Sequence, residues 1–311
     1  MLSREKFSKR QAFLGGRVGP GSLFVVKWLW IYASSLIRSG KVYAPGGTIY
    51  KIKANLHIHS YHSDGIFAPS FIVGYAKIAG LKVLSITDHN EIRGTITGAK
   101  IAEKLDLIFF PGMELTFHIK GKAYELLAYF DNLEDIKKFY GAYRFNNGFL
   151  PSFKNVAAVI RLIEKYRGIA VVPHPFGRKG IFRRLRNRGL NVRAIEVMNA
   201  FTGERRNKKA KRHQDGDNHF LKLAAADMHF FVSDIHKVYT ELSSKNEITK
   251  ETVWQNLKGE SATINFRPVG HQFSPFKIWF QKPLCAVVYF LNYPRLYLAY
   301  RIGRRKHAKK H

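Results

Sequence analysis

Asn55-Leu56-His57-Ile58-His59-Ser60-Tyr61-His62-Ser63-Asp64-Gly65 is the most chemically loaded stretch of the chain. His57 and His59 stand two residues apart, and a carboxylate, Asp64, follows soon after. On a strand, residues i and i+2 point to one face, so both imidazoles can reach one metal ion where the strand opens into a pocket. The approach alternates: Tyr50, Ile52, Ala54 and Leu56 are apolar, while Lys51, Lys53 and Asn55 are polar. That pattern predicts a strand over residues 51–57, and residues 60–65 read as a turn. A histidine pair on a solvated strand edge fits the same spacing, so the remaining sequence has to decide.

Working outward, residues 49–267 alternate strand-like and helix-like segments. Strands are predicted over 51–57, 83–87, 107–112, 124–130, 169–173, 194–197, 222–226 and 238–242. Helices are predicted over 69–79, 92–105, 133–145, 155–166, 182–188 and 250–257, the last with Thr249 as N-cap. Alternation of this kind implies an α/β fold of mostly parallel strands, as a barrel or an open sheet, with functional groups at the C-terminal strand ends. Those ends carry Asp88-His89, Glu114, His174 and Asp227-Met228-His229. Each alone reads as a cap or turn residue. Histidines and carboxylates repeated after successive apolar runs point to a metal centre.

The flanks differ. Residues 1–48 are basic and glycine-rich with Trp28-Leu29-Trp30, and residues 268–311 are aromatic, then strongly basic. The 311-residue chain carries a formal net charge of +30, which favours polyanions: nucleic acid, anionic lipid or phosphorylated small molecules. Its one cysteine, Cys285, excludes an intrachain disulfide, and the cytoplasm is the expected location. The apolar tracts at 23–37 (broken by Lys27) and 284–291 fall short of the ~20 residues of a membrane span, so no transmembrane helix is expected. The aromatic, cationic flanks suit packing on the domain, peripheral contact with an anionic membrane surface, or single-stranded nucleic acid.

The segments NLHIHSYHSDG, SITDHNEIRG, PGMELT, VVPHPFG, AIEVMN and AADMHFFVSDIHKVYTEL resemble, in order, the motifs of the polymerase and histidinol phosphatase (PHP) phosphoesterases. The resemblance covers about residues 50–267. It implies a distorted (β/α)7 TIM-like barrel with basic, aromatic N- and C-terminal extensions. It also implies two or three divalent metal ions (Zn, Mn or Fe) and hydrolysis of phosphoesters by a water activated on them. Carried over by position, the ligands are His57, His59, Asp64, His89, Glu114, His174, Asp227 and His229. Glu114 is the expected bridge, and Glu114, Asp64 and His229 are the expected catalytic groups. Asp88 is expected to orient rather than ligate. The implied activity is that of a nucleoside 3′,5′-bisphosphate phosphatase or a 5′–3′ exonuclease on short oligonucleotides. A histidinol-phosphate-type phosphatase and a non-catalytic nucleic-acid or membrane-surface binder are the alternatives.

The chain departs from the family where relatives carry a histidine after the bridging glutamate. Glu125 stands there, either as a harder ligand favouring manganese or iron or as the mark of a weak or absent third metal, and His118 is the other nearby donor. Met228 is expected to narrow the pocket. Arg178 and Lys179 are the expected substrate-binding residues, because a guanidinium fork fits two phosphate oxygens. Arg183, Arg184, Arg186 and Arg188 could extend that grip. The run from Arg205 to Arg212 reads as a flexible loop or as a track for a nucleic-acid backbone.

Overall fold

The computed structural model describes residues 41–44, 47–144, 151–181, 192–214, 220–270 and 275–292. In order, the elements are β1 (Lys41–Ala44), β2 (Gly47–Asn55), α1 (Pro69–Ile78), β3 (Leu81–Leu84), α2 (Arg93–Lys104), β4 (Ile108–Phe109), β5 (Gly112–Ile119), β6 (Lys122–Tyr129), α3 (Leu133–Arg144) and α4 (Val156–Lys165). They continue with β7 (Ile169–Val172), β8 (Ala194–Asn199), α5 (Glu204–Gln214), β9 (Leu221–Ala225), the short α6 (Asp234–Lys237), β10 (Val238–Ser244), α7 (Lys250–Lys258), β11 (Asn265–Gly270) and α8 (Pro275–Asn292). The helix predicted over 182–188, with its four arginines, lies outside the described residues. So do residues 1–40, including the tryptophan pair, and 293–311.

The strands form two sheets. One has the order β11-β10-β2-β3-β4 with β1 on β2; the other has the order β5-β6-β7-β8-β9. Parallel pairs β2–β3, β3–β4, β7–β8 and β8–β9 alternate with antiparallel pairs at β10–β2, β10–β11, β5–β6 and β6–β7. The sequence predicts mostly parallel strands, as a barrel or an open sheet; the pairing is mixed instead, and among the described residues the ladders do not close into a barrel. The causes are local. β4 is two residues long and runs into Pro111, which has no N–H to donate. Phe110 N donates to Leu84 O on the first sheet, while Pro111 O accepts from Phe130 N on the second. At the other seam the Thr240 hydroxyl replaces a backbone ladder, accepting from Ala224 N and donating to Ala224 O.

The two sheets nonetheless share one apolar interior. Ala54, Leu56, Val83 and Leu242 from one meet Leu127, Tyr129, Ile169, Val171, Ala194 and Leu223 from the other. Tyr129 Oη donates across to Leu56 O at 2.7 Å. α7 closes one end of this interior, with Trp254 stacked on Phe110 at 5.6 Å. Truncating a fully buried member such as Leu127 to Ala costs about 2–5 kcal/mol. Helices cover the outer faces, α1 and α2 over the first sheet and α3 and α4 over the second.

α7 begins as its sequence predicts. Thr249 Oγ1 accepts from Thr252 N, Thr252 Oγ1 accepts from Thr249 N, and Gly259 ends the helix at φ 76°. The run from Arg205 to Arg212 is not a loop: it forms most of α5, with Lys208 paired to Glu204 one turn back. β11 continues the first sheet past residue 267. No helix among the described residues is long and apolar enough to cross a membrane.

Candidate metal centre

The site gathers at the strand ends. His59 N donates to Met228 O and Asp227 N donates to His57 O, so residues 57–59 and 227–229 run side by side. Side chains alternate along both segments. His57, His59, Asp227 and His229 face the site, while Ile58 and Met228 enter an apolar cluster with Ile72 and Leu84. Met228 therefore fills core and does not narrow the pocket. Glu114 lies inside β5, where Glu114 N donates to Thr87 O and Asn90 N donates to Glu114 O, which ties it to the His89 turn. Asn90, His174 and Asp227 adopt positive φ (50°, 25° and 46°), a conformation that side-chain-bearing residues keep only where the surroundings impose it.

Glu114 is the centre of the cluster. Its Oε2 lies 3.3 Å from both His57 Nε2 and His59 Nε2 and 3.2 Å from His89 Nδ1; its Oε1 lies 3.1 Å from His174 Nε2. Asp227 Oδ1 stands 3.4 Å from His57 Nε2 and 3.3 Å from His59 Nε2. Asp64 reaches His229 Nε2 at 3.2 Å, His59 Nδ1 at 3.5 Å and His89 Nε2 at 3.6 Å. The site thus brings together all eight residues carried over as ligands, and Glu125 with them. His118 joins none of the donor groups found among the described residues.

Two supporting residues, Glu196 and Asn199, were not assigned from sequence. Glu196 Oε1 accepts from His57 Nδ1 at 2.8 Å, and its Oε2 accepts from His174 N and from Asn199 Nδ2. This turns His57 Nε2, with its lone pair, toward Glu114 and Asp227. Asn199 Nδ2 also donates to Asp227 Oδ2. His229 Nδ1 donates to Asp227 O, which frees Nε2 for the cluster in the same way. Asp88, expected to orient His89 or a strand end rather than ligate, holds the 60–65 turn: it accepts from Ser60 N, Ser60 Oγ and Ser63 Oγ, each at 2.7 Å. Gly94 permits that contact, since a Cβ there would fall 1.9 Å from Asp88 Oδ2. Glu196 stands in the apolar segment AIEVMN, and a lone carboxylate amid such a run is the signal that could have marked it.

The electrostatics call for cations. Asp64, Glu114, Glu125, Glu196 and Asp227 are all buried, 7% exposed at most. Buried carboxylates are costly unless paired, and among the described residues only one lysine or arginine, Lys179, pairs with any of them. Burial opposes charge on His59, yet hydrogen bonds to Asp227 and Glu114 outweigh it and raise the imidazole to about 10. His174 rises against burial to about 9 through Glu114, and His57 rises well above its ordinary range through Asp227, Glu196 and Glu114. Burial dominates at His89, which is lowered. Glu114, despite burial, is held well below the usual carboxylate range by His89 and His57. Asp64 Oδ1 is buried without a hydrogen bond. Imidazole nitrogens and carboxylate oxygens converging with unmet cation demand fit zinc, manganese or iron.

Glu125 faces the same pocket, opposite Thr116 in the β5–β6 register and beside His174 Nε2 at 3.7 Å. Lys179 is ion-paired to it. Arg178 makes no ion pair among the described residues, nor do Arg206 and Lys282. Lys282 Nζ lies 5.7 Å over Phe201, whose ring stacks on His229 at 4.5 Å. Partial burial there, with Arg206 and Arg178 close by, holds the Lys282 ammonium below the ordinary lysine range.

Comparison with known proteins places the chain in a family. The PHP domain family matches residues 55–281. An uncharacterized protein of Methanocaldococcus jannaschii is 31% identical over 163 residues, 48% of this chain and 83% of that protein. A 5′-3′ exoribonuclease of Haemophilus influenzae is 29% identical over 76 residues, 24% of this chain and 28% of that enzyme. The solved structure of a lesion-specific endonuclease from Pyrococcus furiosus superposes with a TM-score of 0.53 at 12% identity, covering 70% of this chain and 57% of that one, a likeness of fold. The chain belongs to the PHP domain family of metal-dependent phosphoesterases, hydrolases of phosphoester bonds.

Proposed function

We propose that the chain hydrolyses nucleotide phosphoesters, as a nucleoside 3′,5′-bisphosphate phosphatase or a 5′–3′ exonuclease on short oligonucleotides. The observation that carries this reading is the single carboxylate, Glu114, contacting four imidazoles beside the cations Arg178, Arg206 and Lys282, which make no ion pair among the described residues. Divalent ions held there would neutralise phosphate charge and lower the pKa of a bound water toward ~7. Glu114 would share its two oxygens between neighbouring donor groups; His57, His59 and Asp227 form one such group, and His59, Asp64, His89 and His229 another. Asp64, whose Oδ1 lies beside His229 Nε2 and His59 Nδ1, would accept a proton from the attacking water. Arg178, Arg206 and Lys282 hold a second phosphate away from the reacting one, with Phe201 as an aromatic surface next to them. The exoribonuclease relative and the +30 net charge favour a nucleotide over a small phosphomonoester. The shared apolar interior supports reading the two sheets as halves of a distorted (β/α)7 barrel.

A substrate panel tests the function. With manganese or zinc, adenosine 3′,5′-bisphosphate should release inorganic phosphate, or a 5′-phosphorylated trinucleotide should release mononucleotides. Turnover of histidinol phosphate alone would overturn the nucleotide reading in favour of its rival.

A further inference from the structure

The donor group formed by His89, Glu114 and Glu125 has the composition of a cation site in its own right. His89 Nδ1 lies 3.2 Å from Glu114 Oε2 and 3.9 Å from Glu125 Oε1, and His174 Nε2 lies 3.7 Å from Glu125 Oε2. Glu125 is 5% exposed, so its charge needs a counter-ion inside the protein. One is already in place. Lys179 Nζ is hydrogen-bonded and ion-paired to Glu125 Oε1. The pairing is anchored by backbone as well: Glu125 N donates to Lys179 O at 3.1 Å, which fixes the lysine's Cα beside the glutamate across 54 residues of sequence. The Thr116 hydroxyl donates to the same carboxylate oxygen.

We infer that the Lys179 ammonium is the resident cation of the Glu125 corner, so the site holds two divalent ions and one fixed ammonium in place of a third metal. The inference rests on the metal-site reading above and deepens it. An ammonium supplies one positive charge and three N–H donors but no open coordination position. Lys179 is therefore a positioning residue. It balances Glu125, keeps His89 and His174 available to the neighbouring ions, and sets the metal count.

The test is the metal content of manganese-loaded, dialysed protein, measured by elemental analysis and anomalous scattering, with thermal melting to confirm folding. Wild type and Lys179→Arg should each hold two ions per chain, and Lys179→Met should hold three, the added ion at Glu125. Equal counts in wild type and Lys179→Met, whether two or three, would overturn the inference. Hydrolysis is scored separately. Counts of two, two and three with no phosphoesterase activity in any protein would fault the catalytic reading and leave this one standing.

Discussion

His57 Nε2 and His59 Nε2 stand 3.1 Å apart in the floor of the site. Two ring lone pairs cannot face each other at that distance unless a proton or a cation lies with them. Glu196 holds the proton of His57 on Nδ1, so the pair turns its metal-binding atoms toward Asp227 and Glu114. Proton and metal therefore compete for the same atoms, and several tests exploit that competition.

The first is pH. In the metal-free protein His59 titrates at about 10, above the 6.5 of an ordinary histidine. A raised folded-state value stabilises fully below pH 6.5 and is lost as pH rises through 10. Chelator-treated protein should thus melt at lower temperature as pH climbs across that window. Metal affinity should move the opposite way, tightening with pH as the competing proton leaves. Calorimetric titration with zinc or manganese in buffers of different ionisation heat would report the released protons. A pH-independent affinity with no proton release would contradict the shared-atom geometry.

Glu196 should matter without touching substrate. Removing the partner of a ligating histidine costs about 10–100-fold in metal affinity or activity. Glu196→Ala should lose metal on that scale, with kcat recovering at saturating metal. Unchanged affinity, measured by competition with a chromogenic chelator, would leave Glu196 as a packing residue only.

Much of this was legible in sequence, and the remainder has physical reasons for being hidden. Alternation before His57, apolar runs before His89 and His174, and the Thr249 cap all act through near neighbours, so periodicity reveals them. The split into two sheets depends on the two-residue β4, on Pro111 and on the Thr240 hydroxyl standing in for a ladder. None of these shows in a hydrophobic pattern. Glu196 and Asn199 look like polar interruptions of β8 until His57 and Asp227 arrive from other strands. Lys179 reads as a phosphate grip because its partner, Glu125, comes from a hairpin far earlier in the chain.

Gly94 is a steric prediction. A methyl group there would collide with Asp88 Oδ2 and with Ser60 Oγ, displacing the turn that presents Asp64. Gly94→Ala should destabilise by about 1–3 kcal/mol, the usual cost of overpacking, and lower kcat more than it raises KM. Wild-type melting and turnover in this variant would show that the turn needs no such close approach.

The rim should act on binding. Arg178→Ala and Lys282→Ala should each raise KM about tenfold for a bisphosphate, since a charge-assisted hydrogen bond contributes ~1.5–3 kcal/mol. Neither should change KM for a substrate with one phosphate. Equal effects on both substrates would place these cations on the reacting phosphate instead.

The most direct test of the metal centre is anomalous diffraction at the manganese and zinc edges from crystals of wild type and Glu114→Gln. Wild type should show ions on both sides of Glu114, one among His57, His59 and Asp227 and one among His89, Asp64 and His229, with density at both weakened or lost in Glu114→Gln. Wild-type crystals grown with metal but showing no anomalous peak within coordination distance of Glu114 would contradict the account.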